Sequence, residues 1–187
     1  MNDQLKSATA ATVQDIRKTF EGIAQDMERR DSAFERKALR NYLLHTLLGM
    51  TGRLDELFAY DTAVADPEYV FFDTGTRIRG RDAIVAFHRE QMQRGTSLCV
   101  PVDQRVAFGP WGFAGEQTMH NFLPGGRLER VRSALVWRCD EAGRMKSLRF
   151  YPAAQHETVA LEGLLALDAG ALATSLSPLV SRIKSIQ

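Results

Sequence analysis

Asp73 is the residue of this sequence whose type and surroundings most clearly suggest chemistry. It follows Tyr69 and Phe71 in a short aromatic stretch that predicts a strand over 69–73, and period-two alternation puts the three side chains on one face. Burial among aromatic rings raises the pKa of a carboxyl group, which suits it to accept a proton near neutral pH. The alternative is that Asp73 only caps the Asp-Thr-Gly turn that follows it, as Asp often does.

A second candidate pair lies on the predicted strand 111–123, where His120 and Glu116 are four residues apart and share a face. A histidine oriented by a carboxylate is a plausible acid or base. The opposite face begins at Trp111 and is the more apolar of the two. If that face lines a cavity, Gln117 is one of its polar members and His120 points outward, unless a β-bulge reverses the alternation.

Two helices contribute further candidates. Tyr42 and His45 are three residues apart on a predicted helix over 33–48 and can share a face, although packing under a sheet would also explain them. Phe87 faces inward on a predicted helix over 81–94. The neighbouring His88 could be a donor in the cavity, but we expect it to face solvent.

Composition limits the classes of function. The 187 residues are enough for a single core, and the net charge of +1 gives no strong field to attract nucleic acid or an anionic membrane, so neither partner is expected. The sequence contains no glycine-rich phosphate loop, so we expect no cofactor. The most apolar stretch, 158–181, carries Glu162 and Asp168, which argues against a membrane span and favours a cytoplasmic protein. No metal is expected, because the four histidines have no metal-ligand spacing: His45, His88, His120 and His156.

The predicted elements describe an α+β fold. Apolar periodicity predicts helices first, over 8–30, 33–48, 53–60 and 81–94. Period-two alternation then predicts four strands, over 97–108, 111–123, 127–139 and 144–152, separated by three turn signals at roughly equal spacing. This order indicates helices packed on one face of an antiparallel meander.

Both ends of the chain lie outside this pattern. Residues 1–32 form a helical extension whose apolar seam, from Val13 to Met27, is expected to pack against the same domain or another subunit. Residues 153–187 form a second extension that is also apolar and helical, and Pro178 is expected to divide it.

Three features together resemble a known family. They are the hairpin 137–151 with its Asp-Glu-Ala-Gly turn at 140–143, the Gly-Arg-Asp-Ala-Ile helix start at 80–84, and the aromatic strand that ends at Asp73. Their order and spacing resemble the SnoaL-like branch of the nuclear-transport-factor-2-like (NTF2-like) superfamily over about 35–152. The resemblance implies a cystatin-like cone in which a curved antiparallel sheet packs on helices and surrounds an apolar cavity. The domain proper would then be 33–152.

The resemblance also implies roles for individual residues. Asp73 stands where the ketosteroid isomerase relatives have their general base, and His45 stands where they have an oxyanion-binding tyrosine, with Tyr42 one turn away. Their second oxyanion donor falls at Leu135, which cannot donate a hydrogen bond, so steroid double-bond isomerisation is disfavoured. The catalytic candidates are therefore Asp73, His120 and His45. The expected cavity wall consists of seven other residues: Tyr42, Tyr69, Phe87, Trp111, Glu116, Leu135 and Trp137.

Two functions from different classes are compatible with this pattern. The first is a cofactor-independent enzyme, of dehydratase, isomerase or cyclase type, acting on a small, mostly apolar carbonyl or hydroxyl compound in the cavity. The second is a non-catalytic module that binds a small ligand or serves for dimerisation. In both cases we expect a homodimer or a higher homo-oligomer, and the terminal helices are either oligomer contacts or a lid over the cavity.

Overall fold

The computed structural model describes residues 2–94, 99–123, 127–160 and 169–186. Helices and strands are grouped along the chain rather than strictly alternating, as expected for an α+β protein. The helices in these ranges are α1 (Asn2–Glu28), α2 (Ala33–Met50), a 3-10 turn (Leu54–Glu56), α3 (Arg81–Gln93) and α4 (Ala169–Ser185). The strands are β1 (Ala63–Phe71), β2 (Thr76–Arg79), β3 (Cys99–Gly109), β4 (Gly112–Leu123), β5 (Arg127–Cys139) and β6 (Met145–Ala160).

The six strands form one curved sheet in the order β2-β1-β6-β5-β4-β3. Strands β3 to β6 make the predicted antiparallel meander, and β1 is added to its β6 edge in parallel. No hairpin joins β1 to β6, and their relative direction is therefore not set by a short turn. Register shifts interrupt the β1–β6, β3–β4 and β5–β6 ladders, and such bulges bend a sheet.

Local signals explain where several elements begin. The Ser32 hydroxyl accepts a hydrogen bond from the Glu35 backbone N–H at 3.3 Å and so caps α2. In the turn between β5 and β6, the Asp140 carboxylate accepts hydrogen bonds from the backbone N–H groups of Ala142 and Arg144, at 3.0 and 2.9 Å. Gly143 completes this turn with a φ of +74°, which favours glycine.

The α1 seam packs within the chain. Helix α1 contacts α2, α4 and β3, and Ile16, Phe20, Ala24 and Met27 are all buried. The bidentate ion pair between Arg182 and Glu28 ties α4 to the C-terminal end of α1 at 2.6 Å. Two packing partners were possible for this seam, the same domain or another subunit. In the structure it packs against the same domain.

The C-terminal extension differs from the prediction in two ways. Strand β6 continues past 152 to Ala160, where it pairs with the start of β5, so the extension does not begin as a helix. Pro178 does not divide α4, which is one continuous helix. The proline lies on the exposed side of that helix. Leu176 and Leu179 on either side of it are buried in the core and hold the helix together across the proline. Within the described ranges, no helix has the length and apolar character needed to cross a bilayer.

Candidate functional site

A cavity of about 420 Å³ lies between the sheet and helices α2 and α3. Alternate residues of β1, β6, β5 and β4 point into it, because the side chains of a strand alternate between its two faces. Most of its wall is apolar and includes Met50, Phe71, Met119, Leu148 and Phe150. A cavity of this size and lining suits a small organic molecule.

Three polar side chains from three different elements meet in the cavity wall. His45 comes from α2, Tyr69 from β1 and His88 from α3. The Tyr69 hydroxyl lies between the two imidazoles and is hydrogen-bonded to Nε2 of each, with a separation of 3.0 Å from His88 and a shorter contact to His45. We call this set the His–Tyr–His array.

The array constrains where its protons lie. A phenol carries a single proton, so the Tyr69 hydroxyl donates to one imidazole and accepts from the other. One histidine must therefore carry its proton on Nε2, and the other carries it on Nδ1. The rings pack edge to face around the hydroxyl, with the centroid of Tyr69 at 5.8 Å from the centroids of both His45 and His88.

Burial keeps all three groups neutral. It lowers the pKa of His45 to about 3, and the neighbouring His88 adds to this effect. The backbone of Leu57 has the opposite, smaller effect and raises the pKa of His45. Among the described residues, Nδ1 of His45 has no hydrogen-bond partner of normal geometry. Burial also lowers the pKa of His88 to about 4 and raises the pKa of Tyr69 above its usual value. Near pH 7 the array is thus a set of uncharged hydrogen-bonding groups.

A second group of polar side chains lies on the sheet side of the cavity. The Gln117 amide donates to the Ser133 hydroxyl at 3.1 Å, and both residues line the cavity. The neighbouring Gln104 donates to the Tyr42 hydroxyl at 3.2 Å. Of these residues, Tyr42, Gln117 and Ser133 add amide and hydroxyl groups to the wall without adding charge, while Gln104 does not line the cavity.

Asp73 borders the cavity but is not buried in it. Strand β1 ends at Phe71, so Asp73 lies in the following turn, where its side chain is exposed. Its carboxylate makes no hydrogen bond or ion pair to another described residue. The expectation of a carboxyl group enclosed by aromatic rings was therefore wrong, because the strand stops two residues earlier than predicted.

The structure separates the other predicted site residues into two groups. Tyr42, His45, Tyr69, Phe87 and Leu135 line the cavity, together with Asp73 at its edge. Trp111, Glu116 and Trp137 do not.

The position of each of these three residues outside the cavity wall has a physical reason. Trp111 precedes β4, is 40% exposed and lies against the hairpin that joins β3 to β4. Glu116 lies on the exposed face of β4, while Gln117 on the other face lines the cavity. Trp137 is fully buried in the core, where its ring packs edge to face on Tyr42 with centroids 5.5 Å apart.

The predicted pairing of His120 with Glu116 stays a prediction, because the side chain of His120 is outside the part that the structure describes. The backbone bears on one detail. Strands β4 and β5 pair without interruption from Gly112 to Leu123, so this ladder contains no bulge that would reverse the alternation.

Sequence reasoning missed His88 as a cavity residue. It was expected to face solvent, but it lines the cavity and reaches Tyr69. A signal was available, since His88 is four residues after the fully buried Ile84 and residues four apart share a helix face. Among the described residues, no three histidine, cysteine or acidic side chains converge as a metal ion would require.

No protein-family model matches the sequence, and no curated protein matches it either. Solved structures do resemble its fold. A protein from Jannaschia sp. CCS1, assigned as a SnoaL-like polyketide cyclase, superimposes with a TM-score of 0.53 at 14% identity over 66% of this chain and 90% of its own. A computationally designed 17-OHP binder gives a TM-score of 0.52 at 18% identity, over 66% of this chain and 98% of its own.

A third structure has a ligand bound. It is RV0760c from Mycobacterium tuberculosis in complex with estradiol-17beta-hemisuccinate, with a TM-score of 0.50 at 20% identity over 63% of this chain and 95% of its own. At such identities the similarity establishes the fold. The curved sheet, the helices on its inner face and the enclosed cavity thus show that this chain has the NTF2-like fold, in a form similar to that of SnoaL-like proteins.

Proposed function

We propose that the protein is a cofactor-independent acid–base enzyme that acts on a small, uncharged and mostly apolar molecule bearing a carbonyl or hydroxyl group. The reaction would be of dehydratase, isomerase or cyclase type. The observation that carries this proposal is the His–Tyr–His array, in which three neutral hydrogen-bonding groups are held in the wall of an apolar cavity.

The cavity supports the choice of ligand. Its wall is mostly apolar, and among the described residues that line it Asp73, at the edge, is the one acidic or basic side chain apart from the two neutral histidines. A charged ligand would lose its hydration there without gaining an opposite charge. The 17-OHP and estradiol derivative that two proteins of the same fold bind are mostly apolar molecules, which supports a ligand of similar size here.

The array and Asp73 would have different roles. The low pKa values of His45 and His88 make them weak bases, so the array is better suited to bind a carbonyl oxygen, with the Tyr69 hydroxyl turning its proton from one imidazole to that oxygen. Asp73 would then remove a proton from the carbon next to the carbonyl, and the electrons of that C–H bond would move onto the oxygen as an enolate. Return of the proton from Asp73 to a different carbon gives an isomer. Its transfer to a departing β-hydroxyl releases water and gives a dehydrated product. Attack of the enolate carbon on a second carbonyl, with the proton passed to the new alkoxide, closes a ring.

Proton exchange tests the first step that all these reactions share. We would incubate 2-tetralone with the protein in D₂O near neutral pD and follow the loss of the signals of the protons next to the carbonyl by NMR. The wild-type protein is expected to accelerate exchange, and Asp73→Asn is expected to abolish the acceleration. Asp82→Asn removes another exposed carboxylate at the start of α3 and serves as the control. Exchange at the uncatalysed rate with the wild-type protein would rule out this chemistry for the probe ketone.

A second candidate function is ligand binding without catalysis. It is favoured by the exposure of Asp73, whose carboxylate has no described partner to hold it toward the cavity. Saturable binding of 2-tetralone without accelerated exchange would support this alternative over the enzyme.

We also propose that the chain assembles as a homodimer or a higher homo-oligomer. Phe72 and Tyr151 support this, because both are exposed and their rings stack with centroids 4.1 Å apart outside the cavity. Light scattering of the wild type and of a Phe72→Ser variant tests the proposal, since a contact through this pair predicts a smaller species for the variant. A monomeric wild type would contradict it.

A further inference from the structure

Three neighbouring strands place a row of polar side chains on the inner face of the sheet, and two of them, Gln117 and Ser133, line the cavity. Gln104 on β3 is directly opposite Gln117 on β4, and Gln117 is directly opposite Ser133 on β5. Directly opposed residues of antiparallel strands project from the same face, here toward the helices. Tyr42 of α2 meets the row from above through its bond to Gln104. We call Gln104, Gln117 and Ser133 the polar row.

Gln117, in the middle of the polar row, is buried and has hydrogen-bonding capacity left over. It is only 6% exposed, and its amide uses one side to bond Ser133. Among the described residues its amide oxygen has no hydrogen-bond partner, and the same holds for the amide oxygen of Gln104, which does not line this cavity. Exchanging the oxygen and nitrogen of the Gln117 amide would leave its other side unpaired instead, so one hydrogen-bonding group is left over in either assignment. Buried polar groups are nearly always paired in folded proteins, which makes an exception in the cavity wall informative.

The polar row and the His–Tyr–His array are at different levels of the sheet. Tyr69 is opposite Leu148, which in turn is opposite Trp137 on β5. Ser133 lies four residues away from Trp137 on that same strand, which corresponds to about 13 Å at the ordinary rise of a strand. The wall between the two levels includes the apolar side chains of Leu135 and Phe150. The cavity wall therefore has two separate polar sites with apolar side chains between them, and it continues past the polar row to Met119 and Val131.

From this arrangement we infer that Gln117 and Ser133 of the polar row are a second ligand anchor, which forms a hydrogen bond with a hydroxyl group at the far end of the molecule held by the array. The ligand class is an elongated, rigid and apolar molecule with a carbonyl or hydroxyl group at one end and a hydroxyl at the other. This inference rests on the proposed function only in that the cavity binds a small molecule, and it does not require catalysis.

A matched pair of ligands tests the second anchor. We would measure the affinity of the wild-type protein by titration calorimetry for 17β-estradiol, which has a hydroxyl at each end, and for its analogue that lacks the 17-hydroxyl. One additional hydrogen bond of ordinary strength corresponds to about a fivefold preference for the diol. Gln117→Met keeps the length of the side chain but removes its amide, and we expect it to abolish the preference. Gln93→Met, at the exposed end of α3, should retain it.

The outcomes separate the inference from the proposed function. An equal affinity of the wild type for both compounds, or a preference that survives in Gln117→Met, would overturn the second anchor while leaving ligand binding intact. A preference that disappears in Tyr69→Phe but not in Gln117→Met would assign the 17-hydroxyl to the array and would equally overturn it. Binding of neither compound would contradict both proposals for ligands of this size. If Gln117→Met does not give the circular dichroism spectrum of the folded protein, the two affinities are measured for Ser133→Ala instead. The expected result is again that the preference for the diol disappears.

Discussion

The hydroxyl of Tyr69 lies 3.0 Å from Nε2 of His88, and this hydrogen bond joins β1 to α3 in the wall of the cavity. The two residues are 19 positions apart in the chain. Because the same hydroxyl also bonds His45 on α2, one phenol connects three elements of the fold. The stability of the protein should therefore depend on this hydroxyl and on the charge of the two imidazoles.

Acid should destabilise the protein through the two histidines of the array. Below pH 6.5 an unfolded chain takes up protons on both imidazoles, whereas the folded protein resists protonation until about pH 4 at His88 and about pH 3 at His45. The free energy of unfolding should thus fall as the pH is lowered from 6.5 toward 4, by up to about 1.4 kcal/mol per pH unit for each histidine. Urea denaturation at pH 7.5, 6.5, 5.5 and 4.5 measures this slope.

The control for this experiment is a variant with both His45→Asn and His88→Asn. It is expected to show a shallower pH dependence than the wild type, since neither introduced side chain titrates in this range. Contributions from the other histidines are common to the two proteins and cancel in the comparison. Equal slopes would contradict the neutral state of the array.

Tyr69→Phe should lower the free energy of unfolding by about 1–3 kcal/mol, because it leaves two buried imidazole nitrogens without their hydrogen-bond partner. Tyr151→Phe removes a hydroxyl from an exposed ring and should change stability by less than about 0.5 kcal/mol. Chemical denaturation of the two variants beside the wild type provides the measurement. A Tyr69→Phe protein as stable as Tyr151→Phe would show that the array does not contribute to folding.

Phe20→Ala tests whether α1 belongs to the core. Phe20 is completely buried where α1 packs within the chain, and removal of such a ring commonly costs about 3–5 kcal/mol. Lys18→Ala, on the exposed side of the same helix, should cost less than about 0.5 kcal/mol. Both values come from denaturant unfolding. Similar small losses in the two variants would mean that α1 is a detachable extension.

Gly143→Ala and Gly75→Ala together separate backbone strain from a close approach. The two glycines have nearly the same φ, +74° and +70°, so alanine at either position should incur about 1 kcal/mol of strain. A Cβ at Gly143 would also lie 2.7 Å from the backbone nitrogen of Ala38, whereas a Cβ at Gly75 would meet nothing within 4 Å. Gly143→Ala should therefore show the larger drop in thermal midpoint. Equal midpoints would indicate that α2 moves away from the turn without cost.

Much of the fold was predictable because its signals are local. The observed β5, Arg127–Cys139, has the predicted bounds, since glycine-containing turn signals border it on each side in the sequence and its alternation is regular. The start of α2 after Ser32 and the turn at Asp140 were predictable for the same reason, because a capping or turn side chain bonds backbone only two to four residues away. Such interactions are present in the sequence as short patterns.

The parts that sequence reasoning missed depend on partners far away in the chain. Strand β2 has only four residues and is held by its pairing with β1. Helix α4 continues through Pro178 because buried leucines on both sides anchor it in the core. The exposed position of Asp73 follows from the end of β1 at Phe71, which the pattern of alternation did not mark.

The sequence by itself thus determined the order of helices and strands, the turns from β3 to β4 and from β5 to β6, and the candidate status of Tyr42, His45, Tyr69 and Leu135 as cavity residues. Only the tertiary structure decided that His88 and His45 share the hydroxyl of Tyr69, and that Gln104, Gln117 and Ser133 line up across three strands. The physical reason is the range of the interactions. Turns and caps involve neighbours in the chain, whereas the array and the polar row exist only when helix packing and strand register bring distant residues within hydrogen-bonding distance.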